Sequence, residues 1–77
     1  MNKKNILIID DDDLFLESIS LEINDTDFLS ALTINGSKEF ESIKDYFFDF
    51  ILIDLRLKNE TGLNLIQEAK SIWPNSL

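Results

Sequence analysis

The stretch NILIIDDDD, residues 5–13, joins an apolar run directly to four carboxylates. Residues 6–9 are β-branched or leucine without alternation, which is typical of a strand covered on both faces in a parallel sheet. The aspartates at 10–13 follow with no spacer. The stretch FILID at residues 50–54 repeats the pattern, with Asp54 at its end. The sequence therefore predicts negative charge at the carboxyl ends of two buried strands.

Length and composition limit the classes of protein that are possible. A chain of 77 residues forms one domain at most and buries only about 60–65% of the surface that it exposes when unfolded. Apolar residues make up 44% of it and charged residues 29%, which is typical of a folded chain. Cysteine and histidine are both absent. This excludes disulfides, thiolate or imidazole metal sites and histidine-activated nucleophiles, and leaves oxygen ligands and amines.

The charge balance and the N-terminus indicate where the chain works. Seven basic and 15 acidic residues give a net charge of -8, which disfavours contact with nucleic acid or an anionic membrane and favours a metal or a cationic partner. The apolar run after MNKK has four residues, too few for a signal peptide or a membrane span. We therefore expect a cytoplasmic protein without direct binding to nucleic acid or membrane.

The hydrophobic pattern predicts three strand and helix units in the order βαβαβα. Strands are predicted at residues 5–9, 28–34 and 50–54. Helices are predicted at 14–23 and along two sets of apolar residues with helical spacing: Phe40, Ile43 and Phe47, then Leu65, Ile66, Ala69, Ile72 and Trp73. Ser37 is expected to cap the second helix and Pro74 to end the third. The fold class is thus α/β, a parallel sheet with helices on its faces.

Ligands of such sheets bind at the carboxyl ends of the strands, where the aspartates are predicted. If the first and third strands are neighbours, their carboxylates converge, and a divalent cation is the usual relief of that repulsion. Oxygen ligands alone suit Mg²⁺ or Mn²⁺. An EF-hand is excluded because Leu14 and Leu16 stand at ligand positions and no loop glycine follows.

Helix capping is the alternative explanation of the four aspartates. Acidic residues near a helix N-terminus stabilise it by about 0.3–1 kcal/mol each. This explains Asp12 and Asp13 well, because they are closest to the predicted helix, but it explains Asp10 and Asp11 poorly. A lone Asp54 after a strand is more often a turn residue. Two carboxylate groups at equivalent strand ends favour a site.

The stretch ILIIDDDD, followed by DFILIDLRLKNETGLNLI, resembles the receiver domain of bacterial two-component response regulators. The resemblance covers the whole chain and includes an acidic pair after the first strand, an aspartate closing the third, and a glycine opening the third helix. It implies a flavodoxin-like sheet, whose order in this family is 2-1-3-4-5 and would here be 2-1-3.

The resemblance also implies a role for particular residues in phosphorelay signalling. By position, Asp54 corresponds to the phosphoacceptor and also to a metal ligand, Asp11 to the direct Mg²⁺ ligand and Asp10 to the carboxylate that holds the metal through water. Arg56 matches the position whose backbone carbonyl is a metal ligand. The implied phosphoryl donor is a phosphohistidine on a sensor histidine kinase or phosphotransfer protein, and the domain is a phosphoacceptor rather than an enzyme.

The sequence departs from the family after its third βα unit. We expect residues 1–77 to be the N-terminal portion of a receiver domain, without the serine or threonine of the fourth strand and the lysine of the fifth. Lys58 stands where many members have proline. The third strand would then be an apolar edge, and Leu14 and Leu21 would face solvent or a partner, so we expect self-association.

Two other functions remain open. A phosphorylation-independent interaction module is favoured by the absent lysine and hydroxyl residues. A Mg²⁺-dependent phosphohydrolase shares a nucleophilic aspartate after a strand, but needs a second aspartate two residues later as general acid. Arg56 stands at that position, so this class is the least favoured.

Overall fold

The computed structural model describes residues 3–54 and 61–77. Within these residues the strands are β1 (Lys4–Ile9), β2 (Leu29–Ile34) and β3 (Phe50–Ile53), and the α-helices are α1 (Asp13–Asn24), α2 (Phe40–Ile43) and α3 (Gly62–Ile72). A 3₁₀ turn, Ser37–Glu39, leads directly into α2. The predicted βαβαβα order is confirmed. No helix in the described ranges is long and apolar enough to cross a membrane.

The three strands form one parallel sheet in the order β2-β1-β3. This confirms the predicted flavodoxin-like α/β class with strand order 2-1-3. Ile9, the last residue of β1, lies opposite Ile34 in β2 and Ile53 in β3. Because the three strands end in register, the residues that follow them emerge at one edge of the sheet.

Most of the core lies on one face of this sheet. Leu7 and Ile9 point to that face and pack against α2, α3 and the segment before β3; the other buried members are Ile34, Phe40, Ile43, Phe48, Leu65, Ala69 and Trp73. The rings of Phe40 and Phe48 meet that of Trp73 edge to face, with centroids 5.5 and 5.2 Å apart. Ile8 alternates to the opposite face, and Leu16 is the buried residue of α1.

The second helix differs from its prediction. It ends at Ile43, whose carbonyl accepts a hydrogen bond from the N–H of Tyr46 in a turn. Phe47, predicted on the helix, lies beyond it and is 59% exposed, whereas Phe48 is buried. The predicted cap was also wrong, because Ser37 is itself the first residue of the 3₁₀ turn. Residues 46–48 are all aromatic, so the sequence does not show which of them is buried. In the structure it is Phe48 that packs in the core with residues of α3.

Side chains cover the outer edge of β2. The Asn24 amide oxygen accepts from the N–H of Ala31 at 2.8 Å, and the Asn24 amide nitrogen donates to the carbonyl of Ala31 at 3.5 Å. The hydroxyl of Thr26 accepts from the N–H of Leu29 at 3.2 Å. A helix residue and a turn residue thus satisfy groups that a further strand would otherwise pair.

Backbone groups cover part of the outer edge of β3. The N–H of Ile51 donates to the carbonyl of Leu77 at 2.8 Å, and the N–H of Leu77 donates to the carbonyl of Asp49 at 3.0 Å. Within the described residues β3 is an edge strand, as predicted, but its first half is paired with the last residue of the chain. The expected exposure of Leu14 and Leu21 is confirmed at 78% and 69%. Self-association through these surfaces stays a prediction.

We expect Leu7→Ala to lower the free energy of unfolding by about 2–5 kcal/mol, because Leu7 is fully buried and truncation leaves a cavity. The matched control is Leu14→Ala, which removes the same atoms from an exposed helix position and should change stability by no more than about 0.5 kcal/mol. Urea unfolding measures both. Equal losses in the two variants would contradict the assignment of the core to this face of the sheet.

Candidate metal centre

The sheet holds the backbone of the site from both sides. The N–H of Asp54 donates to the carbonyl of Ile9 at 2.9 Å, and the N–H of Asp10 donates to the carbonyl of Ile34 at 3.2 Å. Asp10 and Asp54 therefore follow neighbouring strands directly and are tied to the same parallel ladder. The predicted convergence of these two positions follows from the central position of β1.

Three carboxylates meet at this edge. Asp10, Asp11 and Asp54 are half-buried, and each offers an oxygen within 4.8 Å of the oxygens of the other two. Octahedral Mg²⁺ holds oxygens at about 2.1 Å, so ligands on opposite sides of the ion lie about 4 Å apart. The donor set and its spread fit such an ion after small side-chain movements. Without a cation, three negative charges this close repel one another.

The other two aspartates of the opening stretch belong to the helix. Asp12 is the N-cap of α1, with its Oδ1 accepting a hydrogen bond from the N–H of Phe15 at 3.1 Å, and Asp13 is the first helical residue. This confirms that Asp12 and Asp13 start a helix. The N–H of Asp12 also donates to Oδ1 of Asp10 at 3.0 Å, so the cap and the cluster are in direct contact.

Two predicted features lie outside the described residues. Arg56, whose backbone carbonyl was predicted to bind the metal, and Lys58 both fall in the stretch 55–60. Their predictions are untested. The described chain resumes at Thr61, which caps α3 by accepting a hydrogen bond from the N–H of Asn64 at 3.2 Å.

An acidic hollow between α1, the end of β2 and the 3₁₀ turn was not predicted from the sequence. It has a volume of about 260 Å³, and its lining includes the carboxylate residues Asp13, Glu17 and Glu39. These come from α1 and from the 3₁₀ turn, so no single stretch of sequence signals them. Their charges add to the negative charge of the three carboxylates, and negative surface of this kind raises the local concentration of cations.

The chain matches the model of the response regulator receiver domain over residues 6–76. It therefore belongs to the receiver domain family, whose members are signalling domains of two-component systems.

The chain is also similar to individual proteins. The transcriptional regulatory protein ZraR of Klebsiella oxytoca is 27% identical over 71 residues, which are 92% of this chain and 16% of that protein. Among solved structures, a response regulator protein from Burkholderia pseudomallei with a phosphorylated aspartic acid, calcium ion and citrate is 27% identical with a TM-score of 0.81. An adenylate cyclase from Rhodopirellula baltica is 31% identical with a TM-score of 0.85.

The alignments with the two solved structures cover 96% and 99% of this chain. They cover 44% of the chain from Burkholderia pseudomallei and 56% of that from Rhodopirellula baltica. The chain thus spans about half the length of these structures and a sixth of the curated relative.

We expect MgCl₂ to raise the melting temperature of the protein relative to EDTA, because an ion that binds only the folded state stabilises it by about 2.7 kcal/mol at a hundred times its Kd. Asp11→Asn should abolish most of this rise by removing one charged ligand. The control, Asp27→Asn, removes the same charge from an exposed turn before β2, at the opposite edge of the sheet, and should keep the rise. Thermal melts followed by circular dichroism measure it. An undiminished rise in Asp11→Asn would contradict a metal site here.

Proposed function

We propose that the chain is a phosphoacceptor domain of a phosphorelay, in which Asp54 receives the phosphoryl group. The convergence of Asp10, Asp11 and Asp54 within 4.8 Å, in a chain of the receiver family, carries this proposal. In it Asp11 binds Mg²⁺ directly and Asp10 binds through water, while Asp54 and the backbone carbonyl of Arg56 complete the protein ligands; Mn²⁺ can substitute. The structure of the Burkholderia pseudomallei response regulator, with a phosphorylated aspartic acid and a calcium ion, supports pairing this modification with a divalent cation.

The reaction brings together two anionic groups, the carboxylate of Asp54 and the phosphoryl group of the donor. An oxygen of Asp54 forms a bond to phosphorus while the bond from phosphorus to the imidazole nitrogen of the donor breaks, which yields an acyl phosphate. Mg²⁺, when bound, neutralises charge on the phosphoryl oxygens. The hydrogen bond from the Asp54 N–H to the Ile9 carbonyl fixes the backbone of the nucleophile relative to the sheet, which limits the positions that its carboxylate can take before the donor arrives.

The donor and the signal follow from the same chemistry. The 77 residues contain no histidine, so in this proposal the phosphohistidine lies outside them, on a sensor histidine kinase or a phosphotransfer protein in the cytoplasm. If the acyl phosphate behaves like other phosphorylated side chains, it places roughly -1.5 to -2 charges at a half-buried position that held the single charge of the Asp54 carboxylate. That change in charge is the signal, and it needs no direct contact of this domain with nucleic acid or membrane.

We expect acetyl phosphate with Mg²⁺ to add the mass of one phosphoryl group to the 77-residue chain in intact mass spectrometry. The adduct should disappear in Asp54→Ala and in EDTA, because nucleophile and cation are both needed. Asp27→Asn, with the same loss of charge at a distant turn, should still form it.

An equal adduct in Asp54→Ala would move the acceptor to another residue and overturn the assignment. No adduct on a folded wild-type chain in saturating Mg²⁺ would refute phosphoacceptance and leave the interaction module as the better explanation.

A further inference from the structure

We propose that Asp12 is a positioning residue of the metal centre as well as a helix cap. The inference rests on the proposed function, since it takes binding of Mg²⁺ by Asp10, Asp11 and Asp54 as given. It goes beyond that function because Asp12 is not among those ligands. Asp12 contributes to Mg²⁺ affinity by holding Asp10 and Asp11 in place, and not only by its negative charge.

Asp12 makes three hydrogen bonds that together connect the first turn of α1 to the carboxylates. Two of them lie within the start of the helix, and the third reaches Asp10. Its Oδ1 accepts from the N–H of Phe15 at 3.1 Å, and its carbonyl accepts from the N–H of Leu16 at 3.0 Å. Its own N–H donates to Oδ1 of Asp10 at 3.0 Å. The same residue thus holds the start of a helix and one oxygen of a predicted metal ligand.

Both sides of this connection are anchored to the sheet. On one side, the backbone N–H of Asp10 is bonded to the carbonyl of Ile34. On the other, Leu16 is 6% exposed and fixes the first turn of α1 against the protein interior. Asp11 is the single residue between Asp10, whose backbone is bonded to β2, and Asp12, whose side chain caps α1. With Asp10 and Asp12 both held, the backbone of Asp11 has few conformations, and its carboxylate stays near that of Asp54.

Electrostatics makes this constraint important. Bringing three carboxylates together works against their mutual repulsion and subtracts from the affinity for Mg²⁺, so a backbone that already holds them close favours binding. The hydrogen bond from the N–H of Asp12 also restricts the position of Oδ1 of Asp10. Losing the side-chain cap loosens Asp12, and with it the orientation of Asp10 and Asp11.

Three substitutions separate this positioning from the negative charge of Asp12. Asp12→Ser and Asp12→Asn remove the charge but keep an oxygen that can accept from the N–H of Phe15. Asp12→Ala removes both. Asp13→Ala is the matched control, because Asp13 carries the same charge one residue later and is the first helical residue rather than the cap.

We expect Asp12→Ala to bind Mg²⁺ about ten-fold more weakly than Asp12→Ser, the scale at which partners that orient a metal ligand act. Asp12→Ser, Asp12→Asn and Asp13→Ala should agree within about two-fold, since each loses one charge and keeps a cap. Isothermal titration calorimetry with MgCl₂ on the 77-residue chain measures the affinities. Far-UV circular dichroism in EDTA establishes that each variant is folded.

Equal affinities of Asp12→Ala and Asp12→Ser would overturn the inference and leave the proposed function intact. If wild-type protein binds no Mg²⁺, both fall together. Should Asp12→Ala not fold, Asp12→Gly replaces it, because glycine at an N-cap costs little helix stability while lacking the side-chain bond. A Gly variant as tight as Asp12→Ser would likewise refute the positioning role.

Discussion

Parallel pairing of β1 with a neighbour on each side is the constraint on which the site depends. Ile9 lies opposite both Ile34 and Ile53, and its carbonyl accepts the N–H of Asp54. A slip of one residue would turn Leu7 and Ile9 out of the core, because side chains alternate between the two faces of a strand. Burial of apolar side chains therefore fixes the register, and the register fixes the separation of the carboxylates.

The core needs apolar side chains in β1, and the site needs charged side chains directly after it. Residues 7–9 are among the most buried of the chain, and the three carboxylates come immediately after them or after β3. The apolar contacts of β1 bring three carboxylates together at the end of the strand. Folding thus supplies part of the cost of assembling these oxygens, and a divalent cation that binds them would offset their mutual repulsion.

The sequence predicted the fold and the convergence of the aspartates because both depend on short, unbroken apolar runs that indicate strands. β1 and β3 have such runs, and Asp10 and Asp54 follow from their ends. The second helix was predicted poorly, since Tyr46, Phe47 and Phe48 fit more than one frame and only packing selects Phe48. The bond from the N–H of Asp12 to Asp10 depends on loop conformation, which residue types alone do not determine.

The outer edges of β2 and β3 differ in how their backbone groups are paired. A strand approaching β2 meets the amide of Asn24, which already satisfies Ala31, and would have to displace it. A strand approaching β3 instead continues a parallel pairing that Leu77 begins. Within the described residues, side chains therefore cover the outer edge of β2, whereas the second half of β3, which leads to Asp54, has no strand on its outer side.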